Sequence, residues 1–254
     1  MKTFTTILTA VGILLASAAS AAAMINIDLG AGTSVGTGTA GVVASNGWQL
    51  KAGYPDVTTA SSLNLASGTA SGASILLDGT GNITSIGAAT TDGNYSMFNR
   101  GLGIGASGSG NVSNPYNVQI SNLSSDFTSN GYDVYVYFGS GDNVSGTDVV
   151  TTVTVTDGNG TFYLDVSEAQ ATYQGSYIQG TATSAGSSVL GNYVKFSGST
   201  SSTLSISAIA SGATDSVVTL TGMQIVAVPE PSSIVLSLLG LSLIGIVLRR
   251  RTRR

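Results

Sequence analysis

Between residues 24 and 228 apolar side chains recur at every second position in short runs, and no long stretch repeats with a helical period. Alternation of that kind predicts strands, because successive side chains leave opposite faces of a pleated backbone. The clearest run is Tyr132–Phe138, with Val134, Val136 and Phe138 on one face and Asp133, Tyr135 and Tyr137 on the other. Asp148–Thr156 sets Thr151, Val153 and Val155 against Thr152, Thr154 and Thr156. Asp157-Gly158-Asn159-Gly160 then offers residues that tolerate positive φ, and Thr161–Val166 runs back with Phe162, Leu164 and Val166 aligned. This pair is expected to form a hairpin. Tyr193–Ser197 turns Val194 and Phe196 inward, and Thr203–Ile209 does the same with Leu204 and Ile206. In Val217–Val228 the inward set changes phase between Leu220 and Met223, which predicts a bulge at Gly222. Weaker strand signals lie at Met24–Leu29, Gly47–Ala52, Ser74–Leu77, Ile83–Ala88 and Tyr116–Leu123, and a short helical turn at Glu168–Ala171. Many short strands, each with one apolar face, predict an all-β domain: a two-sheet β-sandwich.

The pattern breaks at both ends. Lys2 precedes an apolar run, Phe4–Ala16, and then a row of small residues, Ser17–Ala23. That order is a secretory signal. Ala21-x-Ala23 fits the small-residue cleavage rule, which places the cut after Ala23, with Ala21 as the alternative. At the other end Pro229-Glu230-Pro231 leads into an uncharged run, Ser232–Leu248, followed by Arg249, Arg250, Arg251, Arg253 and Arg254. As a helix that run rises by roughly 25 Å, close to the ~30 Å hydrocarbon thickness of a bilayer. Clustered arginines resist transfer across a membrane and stay on the cytoplasmic side. The expected organisation is a signal peptide at 1–23, an exported domain at 24–228 and a C-terminal segment at 229–254 with a transmembrane helix at 232–248.

The C-terminal order of Pro-Glu-Pro, a short apolar helix and an arginine cluster resembles the PEP-CTERM protein-sorting domain of bacteria. The resemblance implies recognition by a membrane-embedded sorting enzyme, exosortase, and removal of the tail. It also implies an exported, often exopolysaccharide-associated, surface protein. It assigns an address and a processing step, and no activity to the domain. A looser likeness concerns the domain itself. INIDLG, YDVYVYFG, GNYVKFSG and VVTLTGMQIV are similar to strands of galactose-binding-like jelly-roll modules, which implies a jelly roll among the β-sandwiches.

Composition narrows the chemistry. Residues 24–228 hold three basic residues, Lys51, Arg100 and Lys195, against twelve acids, the thirteen of the chain less Glu230. Their net charge is therefore 3 − 12 = −9, whereas the whole chain is at −4 because of its arginine tail. Such a surface repels phosphate backbones, so nucleic acid is not an expected partner. The chain has no Cys and no His. A disulfide framework, a Ser-His-Asp triad and the common His-containing zinc sites are thereby excluded.

What remains is carboxylate, amide and aromatic chemistry. Tyr135 and Tyr137 with Asp133 make an outward polar-aromatic stripe on one strand, of the kind that stacks on sugar rings, and Trp48, the single tryptophan, is a further candidate glycan contact; ordinary cross-strand packing uses the same tyrosines. A glycan-active enzyme needs two carboxylates roughly 5–10 Å apart, and Asp133 and Asp165 are expected to point outward from neighbouring strands. No catalytic residue is assigned. Calcium is the one cofactor the chain offers ligands to, at Asp78-Gly-Thr-Gly-Asn82 and Gly141-Asp142-Asn143, although turn chemistry alone explains these residues. Asp157–Glu168 has the length of an EF-hand loop but carries Phe162 where that loop requires Gly. Gly103-Ile-Gly105-Ala-Ser-Gly108 fits GxGxxG, yet no helix can open before Pro115, so a flexible loop is expected. The expectation is a non-catalytic exported surface or extracellular-matrix protein, carbohydrate-binding on its aromatic stripe. A carboxylate-pair hydrolase and a self-associating structural protein stand as alternatives.

Overall fold

Strand β14, Val218–Ala227, is the axis of the fold and is buried along nearly its whole length. The computed structural model describes residues 22–30, 38–51, 61–78, 83–85, 93–98, 100–105, 116–140, 149–155, 160–166, 175–211 and 218–229. One edge of β14 pairs throughout with β8, Tyr132–Ser140. The other edge is shared, by β6 (Arg100–Gly105) at Val218–Leu220 and by β1 (Met24–Asp28) at Gly222–Val226. The register against β8 slips between Leu220 and Gly222, so the expected bulge falls where β14 changes neighbours.

The first sheet is completed by β2 (Gln49–Leu50) parallel to β1, β5 (Ile83–Ser85) against β6, and β12 (Tyr193–Ser199) against β8. The second runs in the order β11 (Val189–Leu190), β10 (Gly160–Val166), β9 (Val149–Val155), β13 (Leu204–Ser211), β7 (Tyr116–Ser121), β4 (Ala70–Asp78), β3 (Ser61–Asn64). The expected hairpin is present as β9–β10, in register from Val155↔Gly160 to Val149↔Val166. From β6 onward the chain changes sheets at most connections, so the sandwich is closed by strands far apart in sequence. Ala23–Val228 make one compact unit.

The core between the sheets follows from the alternation. Val134, Val136 and Phe138 of β8 meet Val118 and Ile120 of β7, Leu164 and Val166 of β10, and Leu204 and Ile206 of β13, all buried. Phe162 and Phe196 add an edge-to-face pair at 4.9 Å across the sheets.

Two expectations are corrected. Arg100–Gly105 is a strand and not a flexible loop: Leu102 and Ile104 are core residues, and Gly101 lets β6 lie close to β14. A Cβ on Gly101 would stand 2.6 Å from the Leu220 carbonyl oxygen. Secondly, β8 and β10 belong to different sheets, so Asp133 and Asp165 are not on neighbouring strands. The Glu168–Ala171 turn and the Ala106–Gly108 half of the glycine motif lie outside the described residues, as does most of each calcium candidate turn.

Candidate functional site

The outer face of the first sheet gathers the residues singled out for glycan contact. Alternation along β8 sends Asp133, Tyr135 and Tyr137 away from the main core, and Trp48 arrives on the segment that leads into β2. All of them reach this face, but it is roofed. Residues 38–48, helix α1 (Gly93–Phe98) and the segment around Tyr177 lie over it, and a second apolar cluster forms beneath them from Ala40, Trp48, Met97, Phe98, Tyr135, Tyr137 and Tyr193. Tyr137 is 0% exposed, Tyr135 7% and Trp48 6%. The stripe is therefore an inner layer and not an open stacking platform. Tyr137 is its hub, with ring centroids of Trp48, Phe98 and Tyr193 each 6.1 Å away and that of Tyr177 at 5.7 Å.

A polar network clips the roof in place. The Tyr137 hydroxyl donates to Gln224 Oε1, and it accepts the Val42 N–H at 2.9 Å. The Gln224 amide donates to Asn26 Oδ1 and to the Val43 carbonyl, both at 2.9 Å. Asn26 Nδ2 in turn donates to Ser45 Oγ at 3.0 Å and to the Asn46 carbonyl at 2.8 Å. Tyr177 donates to Asn94 Oδ1 and accepts the Gly41 N–H at 2.6 Å. Gly41 has φ +95°, and a Cβ there would lie 2.3 Å from Gln224 Oε1, so only glycine fits. The indole N–H of Trp48 closes the turn on the Ser45 carbonyl at 3.0 Å. Asn26 and Gln224 are fully buried, and satisfied partners are what make such burial tolerable.

Burial pushes the Tyr137 hydroxyl well above its usual 10.0; the Val42 N–H opposes this, and the surrounding tyrosines add to it. Tyr193 is raised as well, mainly by burial. Asp133 forms an ion pair with Lys195 at 2.7 Å, and the ammonium sits 5.3 Å from the Tyr135 ring centre. The Asp133 hydrogen bond raises the Lys195 pKa. With side chains 20% and 30% exposed, the pair adds under about 1 kcal/mol. Among the described residues no group of three or more Asp or Glu side chains converges on a metal position.

Sequence reasoning missed Gln224 and Asn26 as the structural centre of this face. The signal was there: a glutamine inside the apolar run of TGMQIV, on a strand covered on both sides, must find a buried partner.

The first strand begins and the last strand ends at the same end of the sandwich. β1 begins at Met24 and pairs antiparallel with β14, which ends at Ala227. The Ala227 N–H donates to the Ala23 carbonyl at 2.9 Å, and the Val228 N–H to the Gly131 carbonyl at 2.9 Å. The next residue, Pro229, is exposed and has no N–H, so the ladder stops there. A family model for the PEP-CTERM protein-sorting motif matches residues 227–251. The chain carries a PEP-CTERM sorting motif. Its match takes in Pro229, Glu230 and Pro231, the apolar run, and Arg249, Arg250 and Arg251. The motif marks an exported protein that is processed by an exosortase. It begins on the last residues of the folded unit, so no linker separates domain from PEP-CTERM segment. No curated protein and no solved structure matches the chain. No helix among the described residues is long and apolar enough to cross a membrane; 232–248 and Ala21 lie outside them.

Proposed function

We propose that the sandwich is a non-catalytic component of the cell surface or extracellular matrix, delivered as a precursor anchored in the inner membrane by 232–248 and handed to an exosortase. The observation that carries this is the junction. The motif starts at residue 227, where β14 ends, and the chain enters and leaves the sandwich at the same end. The role is read as non-catalytic because the aromatic face is closed by its own chain and Asp133 is engaged with Lys195. A polysaccharide partner would be met on loops, since the rings of Tyr135 and Tyr137 lie beneath the roof.

The test is mass spectrometry of the C-terminus after expression of the full chain in matched hosts with and without an exosortase. With the enzyme, the wild type loses its arginine tail, and a variant with Pro229, Glu230 and Pro231 all changed to Ala keeps it and stays in the membrane fraction. Loss of the tail in both hosts, or retention in both, overturns the proposal.

A further inference from the structure

In an asparagine-glycine pair the glycine nitrogen can attack the preceding side-chain amide unhindered, because glycine has no Cβ to block the approach. The chain has three such pairs, Asn46-Gly47, Asn130-Gly131 and Asn159-Gly160. Asn159 lies outside the described residues. The other two have matched surroundings in sequence, Ser45-Asn46-Gly47-Trp48 and Ser129-Asn130-Gly131-Tyr132, and the fold separates them. Asn46 and Gly47 are both exposed, whereas Gly131 is buried and its carbonyl accepts the Val228 N–H at 2.9 Å. Among the described residues neither the Asn46 side chain nor the Gly47 N–H has a hydrogen-bond partner, so base from solvent reaches the nitrogen and no bond holds the amide. Gly47 has φ +74°, and a Cβ there would stand 2.1 Å from the Ala66 carbonyl oxygen. The roof thus requires the glycine that makes the pair reactive, and makes no use of the asparagine side chain.

We propose that Asn46 is a site of spontaneous deamidation and that its conversion loosens the roof. The Gly47 nitrogen gives its proton to base and attacks Asn46 Cγ. A new C–N bond closes a succinimide ring, and the Cγ–Nδ2 bond breaks, the nitrogen taking a proton back and leaving as ammonia. Water then opens the ring at one of its two carbonyls. Opening at Cγ gives aspartate. Opening at the α-carbonyl gives isoaspartate, in which the main chain runs through Cβ and Cγ, one methylene longer, and the former main-chain carbonyl is a carboxylate. That carbonyl is the acceptor for Asn26 Nδ2 at 2.8 Å and Ser45 Oγ at 2.9 Å. The longer chain also shifts Gly47 from its seat against Ala66, next to the turn that the Trp48 indole closes on the Ser45 carbonyl.

The purified full chain, held in mildly alkaline buffer and sampled over time by peptide mass spectrometry, tests this. Residue 46 is expected to convert to isoaspartate and aspartate ahead of Asn130. The same chain unfolded in urea is the reference, and there the two matched pairs are expected to convert at similar rates. The separated isoaspartate form should show Trp48 emission shifted to the red and a melting temperature lower by about 2–8 °C, as befits the loss of one or two hydrogen bonds. Asn46→Ser keeps the main-chain carbonyl and removes the leaving amide, so it should hold its emission and melting temperature through the same incubation. An Asn46 that stays intact, or that converts no faster than Asn130 in the folded chain, overturns the inference. So does an isoaspartate form whose emission and melting match the parent.

Discussion

Replacing Tyr137 by Phe isolates the clip from the packing. The ring keeps its four aromatic neighbours, Trp48, Phe98, Tyr177 and Tyr193, so little dispersion is lost. What disappears is the hydroxyl that links Gln224 to the roof. Gln224 Oε1 still has the Val43 N–H within 3.4 Å, but the Val42 N–H, at 2.9 Å in the wild type, loses its acceptor. A buried donor left without a partner costs about 1–3 kcal/mol. For a domain of this size each kcal/mol shifts the melting temperature by about 2–4 °C, so the variant should melt roughly 2–12 °C lower. Urea titration gives the free energy, and the fluorescence of Trp48, the single tryptophan, reports on the roof directly. Emission should move to the red as residues 38–48 loosen. A variant within about 0.5 kcal/mol of the parent, with unchanged Trp48 emission, would show that packing alone holds the roof.

Two further outcomes follow from the same network. Tyr137 and Tyr193 titrate above the usual 10.0, so above about pH 10 the unfolded chain releases protons that the folded one keeps. Stability is then full below about pH 10 and falls above it, by up to about 1.4 kcal/mol per pH unit for each such tyrosine; Lys195, also raised, acts in the same direction. Urea midpoints between pH 9 and pH 11 that stay level or climb would contradict this. Gly41→Ala should destabilise by about 1–3 kcal/mol and redden Trp48 emission, because it forces a side chain at φ +95° to within 2.3 Å of Gln224 Oε1; circular dichroism melts would check it.

The strands were legible wherever one face is apolar and the other polar. β8, β9, β10, β12, β13 and β14 stand within two or three residues of the alternation that announces them. β6 was obscured because glycine occupies every second position in RGLGIG, and a missing side chain reads as loop in sequence while it means close approach in the fold. The aromatic face was legible in direction but not in exposure. Alternation fixes that Tyr135 and Tyr137 point away from Val134 and Val136. It carries no information about a segment 95 residues earlier folding over them, a contact made by Val42 and Tyr137. The sorting motif was fully legible, because it is an order of residue types along the chain and does not depend on tertiary packing.

Stability without disulfides explains why the outer face is closed. An exported domain with no cysteine has to hold itself together by burial and hydrogen bonding alone. The first sheet could have left its outer face wet, as antiparallel sheets often do. Instead the chain spends residues 38–48, α1 and the Tyr177 segment on covering it, which turns four tyrosines, a tryptophan and a phenylalanine into a second core. Apolar contact alone would let that roof slide. The bonds from Asn26, Tyr137, Tyr177 and Gln224 to the backbone of Gly41, Val42, Val43 and Asn46 admit one placement only. Asn26 and Gln224 belong to β1 and β14, and the sorting motif begins where β14 ends. The roof and the central strand pair are therefore held by one network, so loosening the clip should also weaken the pairing of β1 with β14.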